Sequence, residues 1–187
     1  MTFDDRIHDA DTFEQQVMAR LNATGWPAFR FGQAQLPDEC RRRLKQFEDG
    51  CRRPSLIRWM PDIITFRELP GRTFVALIDA KVSPQHTANF AIEMSAIETT
   101  EIYTDRLYTP TFFVFDDWTV LTPREARQRG TKGPDPSNGR GSGTPYLLIP
   151  RRWARPFDAI FPPARETPYH EPARQDRSPS NNGGLFE

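Results

Sequence analysis

An α/β fold with a mixed central sheet follows from three features of the sequence. A helical stretch with an apolar stripe opens the chain. Strand-like segments lie near residues 28–31, 62–67 and 73–82, and a second helical stretch then leads into the apolar run Thr111–Phe115. The order helix, three strands, helix, strand demands a crossover connection, which lays a helix against a sheet with parallel neighbours.

The first helix is read from about Thr12 to Thr24. Thr12 and Gln15 have capping-box spacing, Gly25 followed by Trp26-Pro27 ends the helix, and Ala10, Phe13, Val17, Met18 and Leu21 form its apolar stripe. Glu14 sits inside that stripe, where a carboxylate is costly if it is buried without a partner. Ala28–Phe31 is a short strand. Pro37 to Gly50 is a helix on which Leu36, Cys40, Leu44, Phe47 and Cys51 recur at helical spacing, so the two cysteines are assigned to packing. Asp62–Arg67 and Thr73–Val82 are strands joined by Leu69-Pro70-Gly71-Arg72, and the second is apolar enough to be covered on both faces. Asn89 to Leu107 is read as the next helix, with Glu93 and Glu98 on its solvated side. Thr111–Phe115 and Trp118–Leu121 are strands.

Beyond Thr122 the composition changes. Gly130–Gly143 is rich in Gly, Pro, Ser and Asn and is expected to be a mobile loop. Tyr146–Ile149 is a short strand, with Trp153, Phe157, Ile160 and Phe161 packing behind it. Residues 1–161 therefore make one domain, and 162–187 a tail too polar to order itself. The polar N-terminus and the lack of an apolar run of about eighteen residues predict a soluble, cytoplasmic protein without a membrane partner.

Formal net charge is zero, so any attraction to nucleic acid must come from distribution. Residues 41–58 concentrate Arg41, Arg42, Arg43, Lys45, Arg52, Arg53 and Arg58, a segment able to track a phosphate backbone; an ordinary solvated helix face is the competing reading. There is no GxSxG elbow, no phosphate-binding Walker loop and no GxGxxG after a strand, and histidines at 8, 86 and 170 do not make a His-rich metal site.

The chemistry concentrates in Trp59-Met60-Pro61-Asp62-Ile63-Ile64 and Leu77-Ile78-Asp79-Ala80-Lys81-Val82. Each sets a carboxylate into an apolar strand, and alternation puts Asp79 and Lys81 on one face, roughly 6–7 Å apart at about 3.3 Å per residue. Pro61-Asp62, then sixteen residues, then Asp79-Ala80-Lys81 resembles the PD-(D/E)xK signature of the restriction-endonuclease-like nucleases, in pattern from about Thr12 to Leu121. The resemblance implies a restriction-endonuclease-like core and hydrolysis of phosphodiester bonds, most readily in DNA. It implies that Asp62, Asp79, the Ala80 carbonyl and Glu14 hold Mg²⁺ or Mn²⁺, and that Lys81 orients water or stabilises the transition state. A hard cation prefers such oxygen ligands. Two alternatives remain at this point: a non-cleaving nucleic-acid-binding protein of the same fold, and an adaptor whose arginines meet an acidic protein. Two-strand cleavage would favour a homodimer.

Overall fold

A computed structural model describes residues 3–51, 56–83, 87–134 and 144–163. Its elements run α1 (Phe3–Ala23), β1 (Ala28–Arg30), α2 (Asp38–Cys51), β2 (Ile63–Leu69), β3 (Arg72–Lys81), β4 (Asn89–Glu93), α3 (Met94–Arg106), β5 (Thr111–Phe115), β6 (Thr119–Leu121), α4 (Pro123–Arg129), β7 (Thr131–Lys132), β8 (Tyr146–Pro150), β9 (Arg155–Pro156) and α5 (Phe157–Ile160). The main sheet has the order β1-β2-β3-β5-β6-β9, and β4, β8 and β7 form a smaller one. β1, β2 and β3 are antiparallel neighbours, whereas β5 lies parallel to β3 across the α3 crossover, so the sheet is mixed.

Alternation along the strands sorts side chains into two core layers. Phe13, Val17 and Leu21 of α1 pack with Ile63, Ile78, Val114 and Val120, and Phe157 and Phe161 close the far end of that layer. On the opposite face Phe113, Phe115 and Leu121 meet Phe90, Ile92, Leu147 and Ile149 of the small sheet and Ala96 and Ile97 of α3. Phe90 stacks on Phe115 with ring centroids 3.6 Å apart. The β2–β3 turn needs Gly71, whose φ of +76° lies in the left-handed region that disfavours a Cβ. Among the described residues no helix is long and apolar enough to cross a membrane.

Several expectations are corrected. α1 begins at Phe3, nine residues before Thr12. The stretch from Asn89 is not helical throughout: Asn89–Glu93 is β4, because Phe90 and Ile92 alternate into the core opposite Ile149 and Leu147. Only from Met94 does the helix begin. Part of the Gly-rich stretch is also ordered, since Thr131 and Lys132 pair with Leu148 and Leu147; residues 135–143 and 164–187 lie outside the described residues. Two members of the cysteine-bearing stripe of α2, Cys40 and Phe47, do not pack into the core, and the Cys51 side chain lies outside the described residues. Cys40 is exposed and Phe47 is 53% exposed, because α1 and the second layer already cover both faces of the sheet. Trp153, expected to pack, is 40% exposed.

Candidate active site

The site forms where β2 and β3 diverge. Their register pairs Ile63 with Ile78, and one further step sets Asp62 opposite Asp79. Asp62 is held by its backbone and its side chain together. Its carbonyl accepts from the N–H groups of Phe31 (2.7 Å) and Gly32 (3.2 Å), and its Oδ2 accepts from the Ala80 N–H (3.0 Å). Ile78 and Ala80 point into the α1 layer, so the alternate residues Asp79 and Lys81 share the other side of β3. Lys81 Nζ lies 2.8 Å from Asp79 Oδ1, with side chains 24% and 8% exposed.

The electrostatics follow from this crowding. Burial, and then the facing Asp79 carboxylate, push the Asp62 carboxyl well above the ordinary carboxylate range. Glu14 adds its negative charge to the same effect, and the Lys81 ammonium opposes it. Burial works against the Lys81 ammonium, but Asp79, Glu93 and Asp62 together outweigh it, so its pKa is raised overall. Burial raises the Glu14 pKa as well, with Arg30 opposing. Glu14 reaches the site from α1, 4.0 Å from Arg30 Nη2; the same guanidinium pairs with Asp11.

The sequence-predicted residues therefore separate into groups. Asp62, Asp79 and Lys81 converge. Glu14 stands near enough to be felt by Asp62, but beside Arg30. Among the described residues no three Asp, Glu, His or Cys side chains form a metal-binding cluster. The donor set is two facing carboxylates, and it fits a hard cation. Asp79 is buried and the Asp62 carboxyl is crowded against it, so a divalent ion with backbone and water oxygens would offset the repulsion between the two acids.

The described arginines of the basic segment are engaged within the protein. In α2 Asp38, Glu39, Glu48 and Asp49 balance Arg41, Arg42, Arg43 and Lys45. Arg41 pairs with Asp38, and Arg42 and Arg43 both pair with Glu39. Arg58 is half-buried, its guanidinium 5.1 Å from the Trp59 ring centroid, and burial lowers its pKa. Arg52, Arg53 and His86 lie outside the described residues.

Two residues take places at the site that the sequence analysis did not give them. Gly32 leaves no room for a side chain: a Cβ would sit 2.8 Å from Asp62 Cα and 2.9 Å from the Pro61 carbonyl. Glu93, assigned to a solvated helix face, ends β4 and immediately precedes α3, with no side-chain hydrogen bond to the helix, and Lys81 feels its charge. The cue was the β-type alternation of Phe90 and Ile92, which puts Glu93 at a strand end rather than mid-helix.

No protein-family model matches the chain, and neither does any curated protein. Among solved structures it is similar to the 1.6 Å structure of Hjc from Archaeoglobus fulgidus, a Holliday junction resolvase from an archaeal hyperthermophile. The similarity has a TM-score of 0.50 at 10% identity and covers 84% of this chain and 99% of that one. At that identity the match speaks for architecture: the chain has a restriction-endonuclease-like fold with a mixed central sheet.

Proposed function

We propose that this chain is a metal-dependent nuclease that hydrolyses phosphodiester bonds in DNA. The observation that carries the proposal is the meeting of Asp62, Asp79 and Lys81 at the open end of β2 and β3. Asp62 and Asp79, with the Ala80 carbonyl, would hold Mg²⁺ or Mn²⁺, and Glu14 would join them on release from Arg30. A divalent ion so held supplies Lewis-acid stabilisation and a lowered pKa for the attacking water. Asp79 keeps the Lys81 ammonium charged and aimed. Lys81 then donates to a non-bridging phosphate oxygen, where negative charge grows during attack. Phe31, Gly32 and Ala80 fix Asp62 through backbone donors, so its carboxylate does not have to reorganise as charge develops.

One observation favours a second reading, a DNA-binding protein of this fold without turnover: Glu14 is drawn toward Arg30 and no three-carboxylate cluster forms among the described residues. One experiment separates the two. The purified protein is incubated with supercoiled, linear, single-stranded and branched DNA, and with RNA, in Mg²⁺ or Mn²⁺, alongside Asp79→Ala and Lys81→Ala. Metal-dependent cleavage lost in both variants supports the nuclease. Binding without cleavage of any substrate supports the second reading, and cleavage equal in all three proteins removes the site.

A further inference from the structure

We infer that the Arg129–Trp153–Arg152 surface is a nucleic-acid docking patch that grips the phosphate backbone beside the candidate active site. Trp153 is 40% exposed, and the guanidinium carbons of Arg129 and Arg152 lie 4.3 Å and 5.4 Å from its ring centroid. Neither arginine has a carboxylate partner among the described residues. The acids of neighbouring elements are engaged elsewhere: Glu125 with Arg155, Asp117 with Arg151 and Asp158 with Arg20.

That arrangement is the opposite of α2. There, each paired arginine spends its donors on an acid one turn away. An arginine laid over an indole is oriented by the ring's negative face yet keeps its N–H fork free for phosphate oxygens. Exposed Lys132 on β7 follows Arg129 by three residues and adds a further cation to this stretch.

The patch is tied to the candidate site by the residue before it. Arg151 donates through Nη2 to Ser83 Oγ (3.2 Å) and through Nε to the Thr87 carbonyl (2.8 Å), and it pairs with Asp117. Ser83 is two residues beyond Lys81. Arg151 thus ties the segment that carries Arg152 and Trp153 to the chain leaving β3. The proposal relies on the DNA reading above for its choice of partner.

The test measures binding of duplex and single-stranded oligonucleotides by fluorescence anisotropy in EDTA, over a range of salt, so that turnover plays no part. Each phosphate contact contributes about 0.9 to the slope of log Kobs against log salt on duplex DNA. Arg129→Gln/Arg152→Gln is expected to lower that slope by about 2, whereas Arg72→Gln, an exposed cation at the far end of β3, leaves it unchanged. Trp153→Ala is expected to weaken binding roughly two- to fivefold and Trp153→Phe much less, since phenylalanine keeps a ring face. An unchanged slope in the double variant overturns the patch even if the protein cuts DNA. Failure to cut any DNA, with the patch-dependent slope intact, overturns the nuclease reading and leaves the patch standing. Competition by polyglutamate as effective as by DNA would assign the surface to acidic protein and overturn the inference.

Discussion

Lys81→Met is the sharpest perturbation of the site. It keeps side-chain length and removes the ammonium that faces Asp79 at 2.8 Å, leaving Asp79 and Asp62 without their lysine. Removing one member of a buried ion pair costs about 3–5 kcal/mol, most of it the penalty of the abandoned charge. Lys81 is 24% exposed, so water screens part of the penalty, and the lower end, about 3 kcal/mol, applies. In a chain of this size each kcal/mol moves Tm by about 2–4 °C, so the variant should melt about 6–12 °C below wild type in EDTA. The assay is thermal and urea unfolding by circular dichroism, with Asp79→Asn and the double variant completing a cycle. Partners in contact should show a coupling energy of about 1–3 kcal/mol. Millimolar Mn²⁺ should restore part of the lost Tm in Lys81→Met, because a cation between the two acids replaces the missing charge, and should not do so in Asp79→Asn. A loss below about 0.5 kcal/mol with zero coupling would mean a solvent-screened surface pair, and the electrostatic account of the site would fall.

Other predictions rest on the same geometry. Because Asp62 binds a proton more tightly folded than unfolded, metal-free stability should fall as pH rises from about 4 through its raised folded value; Asp62→Asn should flatten that fall and abolish cleavage, checked by melts from pH 4 to 8. Cleavage should show an acid limb displaced above the ordinary carboxylate range, since Asp62 and Glu14 must shed protons before they can hold a cation; a pH–rate profile with no such limb contradicts this. Gly32→Ala forces the Asp62 backbone aside and should cost about 1–3 kcal/mol in unfolding experiments and at least tenfold in rate. Arg42→Gln should leave the salt slope of DNA binding within about half a unit of wild type, because Glu39 already neutralises that charge.

Much of this molecule was legible in local pattern. The hairpin at Gly71 and the apolar runs of β3 and β5 announced themselves through turn chemistry and strand composition, and Asp79 and Lys81 shared a face because strands alternate. The errors have local causes too. Asn89–Glu93 was absorbed into α3 because Phe90, Met94 and Ile97 mimic helical spacing, although Phe90 and Ile92 serve a two-residue period against β8. The arginines of α2 pair with Asp38 and Glu39, one turn earlier, acids that lie outside the 41–58 window over which the basic charge was counted.

The chain's own pattern determined the helix, three strands, helix, strand order of the main layer and the acid–acid–lysine set, since each depends on periodicity and spacing within a few residues; β4 and β7 needed their partner β8 to be seen. Tertiary structure alone decided that Asp62 stands opposite Asp79, that Gly32 backs Asp62, that Glu14 sits beside Arg30 and that Trp153 carries two uncompensated arginines. Those relations join residues far apart in the chain. They are set by strand register and by which faces of the sheet are already filled, quantities that no local window of sequence contains.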